Sequence, residues 1–169
     1  LLTKIEMNLE TEHRIGLEVL IEEVQAMINV VEIAAATPRL EALIFGPGDY
    51  SASQGVRSSA IGGVSDDYPG DIWHYARNKV VVAARAAGID AVDGPFADFK
   101  DGKAYSRECT RSGTLGFVGK WAIHPSQIAL ANEGFSPTQK QVDRARKMVD
   151  SYAKAEAKGL GAVAVDGVM

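Results

Sequence analysis

Residues 42–53 read Ala-Leu-Ile-Phe-Gly-Pro-Gly-Asp-Tyr-Ser-Ala-Ser, and this stretch decides the fold. Its Leu-Ile-Phe run at 43–45 is short and continuously apolar, which predicts a strand that is buried on both faces. Gly-Pro-Gly at 46–48 stops the run, and Asp49 follows directly. Parallel α/β sheets present catalytic groups at such strand ends. The alternative is an ordinary turn that carries a solvated aspartate.

The composition is that of a globular chain, because 46% of the 169 residues are hydrophobic and 24% are charged. The net charge is -4, and lysine and arginine are scattered among acids, which argues against a nucleic-acid partner or an anionic membrane surface. The sequence contains no apolar run of membrane-spanning length. Cys109 is the single cysteine, so an internal disulfide is excluded and we expect a reducing, cytoplasmic setting.

Apolar periodicity and the Gly and Pro stop signals predict alternating strands and helices. The predicted strands are residues 14–22, 42–46, 89–93 and 119–123. The predicted helices are residues 1–9, 27–36 with Asn29 as its cap, 71–87 with Asp71 as its cap, 105–115 and 137–158, and residues 51–70 are predicted to form a long irregular loop.

Four βα units with helical crossovers predict parallel strands. A closed (β/α)8 barrel needs about twice as many units. We therefore expect an α/β fold in which residues 1–159 form the C-terminal half of a TIM barrel and residues 160–169 a connector. The alternative architecture is a small open α/β sheet. We also expect the natural protein to be longer at both ends.

Two acids, Glu22 and Asp49, end consecutive predicted strands, so they are expected side by side at the carboxyl edge of the sheet. Oxygen donors without a nearby His or Cys favour a hard cation, Mg²⁺ or Mn²⁺. Such a cation can hold a 2-oxoacid and act as a Lewis acid. The alternative is that Glu22 and Glu23 only end a strand and face solvent.

Three motifs resemble the HpcH/HpaI aldolase and citrate lyase beta-subunit superfamily, and within it the malyl-CoA lyase and CitE-like branch. They are Ile-Phe-Gly-Pro-Gly-Asp at 44–49, Asp-Gly-Pro-Phe at 93–96 and Trp-Ala-Ile-His-Pro-Ser at 121–126. The resemblance runs from about residue 15 to residue 169. It therefore covers nearly the whole chain.

The resemblance implies a site for Mg²⁺, or Mn²⁺, held by Glu22 and Asp49, with Glu23 as the substitute if the register slips by one residue. It also implies that the backbone around Gly46, Pro47, Gly48, Asp49 and Tyr50 binds the carboxylate of a 2-oxoacid. The residues that it implies along the acyl-CoA tunnel follow the third and fourth strands, and they are Asp93, Gly94, Pro95, Ile123, His124, Pro125 and Ser126.

The activity implied by the resemblance is a carbon–carbon lyase reaction, the reversible retro-aldol cleavage of malyl-CoA, methylmalyl-CoA or citramalyl-CoA. Its products are acetyl-CoA or propionyl-CoA and a 2-oxoacid such as glyoxylate. The alternatives are the citryl lyase reaction of a citrate lyase beta subunit, malyl-CoA thioester hydrolysis, and a non-catalytic assembly module.

Members of this superfamily also use groups that we expect outside this chain, namely an arginine on an early barrel strand and a catalytic aspartate on a C-terminal lid. No catalytic residue is therefore expected within the chain itself. Residues 160–169 would begin the linker to that lid. The resemblance further implies a homo-oligomer, a trimer or hexamer, in which lids close over neighbouring subunits.

The remaining ionisable residues are expected to have structural roles. We expect Arg77 and Lys79 on the solvated face of their helix, and His13 and His74 to be packing or surface residues. Cys109 lies in a predicted helix without a catalytic partner. For Asp93, support of the site and simple turn formation are both open.

Overall fold

A computed structural model describes residues 1–10, 13–57, 68 and 70–167. Helices and strands alternate along the chain, as the sequence predicts. In chain order the elements are α1 Leu2–Asn8, β1 Leu17–Ile21, α2 Val24–Ile28, α3 Val30–Ala34, β2 Leu40–Phe45, α4 Pro47–Gln54, α5 His74–Ala87, β3 Asp90–Asp93, α6 Gly102–Leu115, β4 Gly119–Lys120, α7 Pro125–Phe135 and α8 Gln139–Glu156.

The four strands form one parallel sheet in the order β1-β2-β3-β4. The register aligns Ile21, Phe45, Asp93 and Lys120 across the sheet. Each strand is joined to the next by helical segments, so the described chain carries consecutive βα units. The expected half of a (β/α)8 barrel is thereby confirmed, and all four strands end at the same edge.

Strand β2 lies at the centre of the core. Ala42 to Phe45 are all buried, which confirms the prediction of a strand covered on both faces. Helix α5 packs over the sheet through its small and branched residues, and Gly88 ends this helix in the left-handed conformation at φ 72°. The exposed Glu41 fixes the register of β2, since a slip by one residue would carry its carboxylate into a buried position.

Several predicted element boundaries are wrong. Asn29 separates two short helices, α2 and α3, and its side chain makes no capping hydrogen bond. Asp71 lies before α5, where its carboxylate accepts a hydrogen bond from the Trp73 amide at 3.1 Å, and the helix begins at His74. The predicted loop at 51–70 is helical in its first residues, which complete α4, whereas residues 58–67 and 69 lie outside the described residues.

Helix α7 is absent from the sequence prediction, which places no element between the strand at 119–123 and the helix at 137–158. Pro125 occupies the first helical position, where its missing N–H costs nothing and its fixed φ favours the helix. The predicted strand at 119–123 is accordingly only two residues long.

A buried cluster of charges, centred on Asp93, joins β3 and β4 to helices α5 and α6. The Asp93 carboxylate accepts hydrogen bonds from Arg77 Nε at 3.1 Å, Lys120 Nζ at 2.8 Å and Ser112 Oγ at 2.5 Å. Arg77 is therefore not on a solvated helix face, because only 1% of its side chain is exposed. Lys120 Nζ also pairs with Glu108 at 2.9 Å.

Electrostatics hold Asp93 ionised inside the protein. Burial alone would raise the pKa of this carboxyl group, but the positive charges of Lys120 and Arg77 and the hydrogen bonds from Lys120 and Ser112 outweigh it. The net effect keeps the pKa of Asp93 below its usual range. Stability from this group is therefore complete above the ordinary pKa of an aspartate and is lost as the pH falls through the depressed value.

Replacement of Lys120 tests this cluster. We expect Lys120→Met to lower the free energy of unfolding by about 3 kcal/mol, because Asp93 and Glu108 lose the buried cation that they share and keep only their arginine partners. The exposed Lys103 on α6 offers the matched change Lys103→Met, with an expected effect of about 0.5 kcal/mol or less. Urea denaturation measures both variants. Equal losses of unfolding free energy in Lys120→Met and Lys103→Met would contradict the role assigned to Lys120 in the buried cluster.

Helix α1 is attached by polar contacts, because none of its side chains is buried. The Arg39 guanidinium donates two hydrogen bonds of 2.6 Å to the Glu6 carboxylate and a third, of 3.0 Å, to Thr3. Glu6 also accepts the Ile15 amide at 2.6 Å. The hydrogen bond from Arg39, followed by that from Ile15, lowers the pKa of Glu6 to about 2.

Acid titration should therefore release α1. We expect the melting temperature of the parent protein to exceed that of Glu6→Gln by a constant amount above pH 5, and the gap to close as the pH falls from about 4.5 towards 2. Glu18→Gln on β1, an exposed position, is the control and should show no such closing gap. A gap for Glu6→Gln that does not depend on pH would contradict this account.

Residues Ser136–Met169 form a second compact unit, separate from Leu1–Phe135. Helix α8 begins with a capping box: the Thr138 hydroxyl accepts the Gln141 amide, and Gln141 Oε1 accepts the Thr138 amide. The following tail returns along α8, where Lys147 pairs with Asp166. The predicted boundary at residues 159 and 160 stays a prediction.

Within residues 1–10, 13–57, 68 and 70–167, no helix combines the length and the apolar character needed to cross a bilayer.

Candidate functional site

The carboxyl edge of the sheet brings three loops together. Glu22 follows β1 directly, Gly46 follows β2 and Gly94 follows β3. The Gly46 amide donates to the Ile21 carbonyl at 3.1 Å, which continues the ladder one step beyond the strands. A Cβ built on Gly46 would lie 2.7 Å from Glu22 Cβ and 2.9 Å from Glu22 Oε2, so the carboxylate of Glu22 lies directly over this glycine.

Glu22 and Asp49 converge at this edge. Burial, then the charge of Asp49, then that of Glu23 raise the pKa of Glu22, and a hydrogen bond between the Glu22 and Asp49 side chains raises it further. Asp49 is exposed in the first turn of α4. Two carboxylates that repel one another and remain open to solvent are chemically suited to share a cation.

Glu23 takes a different direction from Glu22. Its carboxylate accepts a hydrogen bond from Ser53 Oγ at 2.7 Å, and the same hydroxyl accepts the Val24 amide at 3.0 Å. This pair of contacts joins the start of α2 to the end of α4. The side chain that meets Asp49 is thus that of Glu22.

Only part of the predicted anion cradle at 46–50 has free amides. The Gly46 amide is taken by Ile21, Pro47 has none, and the Tyr50 amide bonds the Gly46 carbonyl at 3.1 Å. The Gly48 and Asp49 amides have no hydrogen-bond partner among the described residues. These two N–H groups open the first turn of α4, where the helix dipole favours an anion.

Helix α4 is held in place by its polar side chains. Trp73 Nε1 donates to Ser51 Oγ at 2.8 Å, and Ser51 Oγ donates to the Pro47 carbonyl at 2.6 Å. Tyr50 packs edge-on against Phe45 in the core. The position of Asp49 is therefore set by a helix that is anchored on several sides.

The loops after β3 and β4 hold the residues predicted to border an acyl-CoA tunnel. Asp93 is fully buried, so its side chain offers no surface to a ligand. His124 is exposed and stacks on Phe99 with ring centroids 4.6 Å apart, and its Nδ1 lies 2.8 Å from Ser126 Oγ. The roles of Gly94, Pro95, Ile123, His124, Pro125 and Ser126 in binding CoA stay predictions.

The donor set fits a hard cation. Within the part of the chain that the structure describes, no group of three or more His, Cys, Asp or Glu side chains could hold a metal ion. Two carboxylates alone match Mg²⁺, which keeps several positions for water and substrate. Glu22 and Asp49 would be the ligands from this chain.

Comparison with known proteins now gives the family. The family model for HpcH/HpaI aldolase/citrate lyase matches residues 4–125. The chain belongs to this family. The match of the family model confirms the resemblance that the three motifs indicate.

Among the curated relatives of this chain, the L-malyl-CoA/beta-methylmalyl-CoA lyase of Rhodobacter capsulatus is 44% identical over 99% of this chain and 55% of its own length. The malyl-CoA/beta-methylmalyl-CoA/citramalyl-CoA lyase of Chloroflexus aurantiacus is 34% identical over 95% of this chain and 51% of its own length. The chain thus spans about half the length of the curated relatives that it matches.

A solved structure shares the fold. The protein CitE from Mycobacterium tuberculosis, in complex with magnesium, acetoacetate and coenzyme A, superposes with a TM-score of 0.72 at 27% identity. The match covers 90% of this chain and 54% of CitE.

Sequence reasoning missed some residues that shape the edge. Lys120 donates to the Gly94 carbonyl at 2.8 Å from a fully buried position. Gln127 accepts the Ile123 amide at 2.8 Å and donates to the Phe96 carbonyl at 3.1 Å, so it ties the loops after β3 and β4 together. A charged residue inside a predicted buried strand was the available signal for Lys120, whereas no comparable signal marked Gln127.

Neutralisation of Glu22 tests the convergence of the two acids. We expect Glu22→Gln to raise the melting temperature of the metal-free protein by about 1–3 °C at low salt, because it removes the repulsion from Asp49. The exposed Glu133 on α7 provides the control Glu133→Gln, which should leave the melting temperature unchanged. Thermal denaturation in EDTA makes the measurement, and a lower value for Glu22→Gln would contradict the placement.

Proposed function

We propose that the protein is a Mg²⁺-dependent lyase that reversibly cleaves malyl-CoA, or a close analogue such as methylmalyl-CoA or citramalyl-CoA. The products are acetyl-CoA or propionyl-CoA and a 2-oxoacid such as glyoxylate. The observation that carries the proposal is the convergence of Glu22 and Asp49 beside two free backbone amides. The names of the Rhodobacter and Chloroflexus relatives support this substrate class.

The metal binds to Glu22 and Asp49 in this proposal. When bound, Mg²⁺ supplies Lewis-acid stabilisation of negative charge on the oxygen of the reacting carbonyl group. The magnesium named in the CitE complex supports its choice, and Mn²⁺ is an alternative because it accepts the same oxygen donors. The raised pKa of Glu22 means that protons compete with the cation for this site at acidic pH.

The chain orients the 2-oxoacid. The Gly48 and Asp49 amides donate to its carboxylate, and the positive end of the α4 dipole adds to their attraction. Gly46 and Gly48 keep side chains away from this position, so that a small acid can approach the backbone. The acid is thereby held beside Glu22 and Asp49, which favours reaction by fixing its orientation.

The acyl-CoA approaches over the loops after β3 and β4. These loops are tied by Gln127 and carry the stacked Phe99 and His124 rings. The coenzyme A named in the CitE complex supports an acyl-CoA ligand. Proton transfer on the acetyl-CoA side is assigned to the lid aspartate, and binding of the substrate acid to the early-strand arginine, that the family resemblance implies outside this chain.

We also propose that the protein acts in the cytoplasm as a homo-oligomer with lids that close over neighbouring subunits. Its single cysteine, Cys109, is buried and reduced, which suits a reducing compartment. The oligomer rests on the family resemblance alone. Size-exclusion chromatography with light scattering tests it.

Removal of one ligand tests the proposed activity. We expect Asp49→Ala to lower kcat/KM for malyl-CoA cleavage by about 100-fold or more, since each 1.4 kcal/mol of lost transition-state stabilisation costs a factor of ten. EDTA should abolish the activity of the parent enzyme, and added Mg²⁺ should restore it. Release of glyoxylate makes the measurement.

The matched control is Asp90→Ala, an exposed aspartate at the opposite end of the same sheet. It should keep the parent activity. Full activity of Asp49→Ala, or parent activity that resists chelation, would refute the metal-dependent lyase. If the parent enzyme shows no activity with any metal, the alternative of a non-catalytic assembly module is favoured.

A further inference from the structure

Gly94 lies at the closest approach between the loops after β2 and β3. A Cβ built on it would be 1.9 Å from the Phe45 carbonyl oxygen and 2.7 Å from Pro47 Cδ. The first of these atoms belongs to the backbone, so it cannot move aside as a flexible side chain would. Gly94 has no left-handed φ, so steric contact alone requires a glycine here.

The backbone that Gly94 touches leads directly into the site. Phe45 ends β2, Pro47 begins α4, and Asp49 lies two residues further on. The far part of α4 is fixed independently, because Trp73 holds Ser51 and Glu23 holds Ser53. A shift at Phe45 and Pro47 must therefore be taken up at the start of α4, where Asp49 and the free amides are located.

Gly94 is itself fixed by the buried charge cluster. Lys120 Nζ donates to its carbonyl oxygen at 2.8 Å, and the same ammonium group pairs with Asp93 and Glu108. Since Lys120 has no exposed surface, this loop cannot yield without disturbing buried ions. The contact between Gly94 and Phe45 is therefore stiff on both sides.

We propose that Gly94 is a positioning residue, whose bare Cα lets the start of α4 settle where Asp49 faces Glu22. This inference rests on the proposed metal site but assigns Gly94 a role apart from contact with CoA. It predicts that an added methyl group displaces the start of α4 and separates the two acids. The cost appears first in metal affinity and in the hydrogen bonds that run from Trp73 through Ser51 to Pro47.

The test compares Gly94→Ala with Gly119→Ala in the complete protein. Gly119 lies on β4, and a Cβ built there meets nothing within 4 Å, so it is a matched control. Isothermal titration with Mn²⁺, without substrate, measures affinity. We expect affinity to fall about 10- to 100-fold for Gly94→Ala and to change less than twofold for Gly119→Ala.

A second readout needs no metal. The Trp73 indole N–H donates to Ser51 Oγ, and that hydroxyl donates to the Pro47 carbonyl oxygen at the start of α4. The indole proton resonance, assigned with Trp73→Phe, therefore reports a displacement of Pro47 even though Ser51 itself is held. We expect this resonance to shift in Gly94→Ala and to keep its position in Gly119→Ala. A merely structural loss of stability would leave the resonance of the folded state unchanged.

The outcomes separate this inference from the proposed function. If the parent protein binds Mn²⁺ and Gly94→Ala binds it equally well with an unshifted indole resonance, the positioning role is refuted and the lyase stands. If the parent protein binds no Mn²⁺, the metal-dependent lyase fails, and the indole resonance alone decides on Gly94.

Pro47→Ala covers the case in which Gly94→Ala does not fold. It removes the Pro47 ring that faces Gly94 and so loosens the same contact without adding an atom. We expect its Mn²⁺ affinity to fall about two- to fivefold. Unchanged affinity together with an unchanged indole resonance would overturn the proposal.

Discussion

The ion pairs and hydrogen bonds of the buried Asp93 carboxylate hold the end of the sheet and the helices packed on it in one arrangement. The carboxylate joins the end of β3 to β4 through Lys120, to α5 through Arg77 and to α6 through Ser112. The Arg77 guanidinium also lies over the rings of Phe45 and Trp73 at 5.6 and 5.5 Å. Buried ion pairs recover much of their desolvation cost but seldom add net stability. Their value here is geometric, because each charge accepts few arrangements of its partners.

The strand order and the site edge were predictable because they follow from local patterns. The apolar run of β2 and the glycine at position 88 mark a strand end and a helix end without reference to distant residues. Parallel neighbours must share a carboxyl edge, so the strand pattern alone predicts that Glu22 and Asp49 lie together. The oxygen donors alone favoured a hard cation at this edge, whereas the expected substrate class came only from the family resemblance.

The missed features have a different physical origin. Arg77 occupies a helix position where periodicity allows either a solvated or a buried cation, and only Asp93, distant in sequence, decides between them. Gly-Pro-Gly at 46–48 suits a turn as well as a helix start, since proline fits both and glycine adopts either conformation. The start of α4 is therefore visible only in the folded structure, which also leaves just the Gly48 and Asp49 amides of residues 46–50 without a partner among the described residues.

The side chain of Gln127 links the loops after β3 and β4 at this edge of the sheet. Its buried amide satisfies the backbone of two loops at once, at Ile123 and at Phe96. A loop transplanted from a relative without its counterpart would leave one end of that amide unpaired, at a cost of about 1–3 kcal/mol. The two loops are therefore coupled, because a change in the backbone of either one has to preserve the partner that Gln127 binds there.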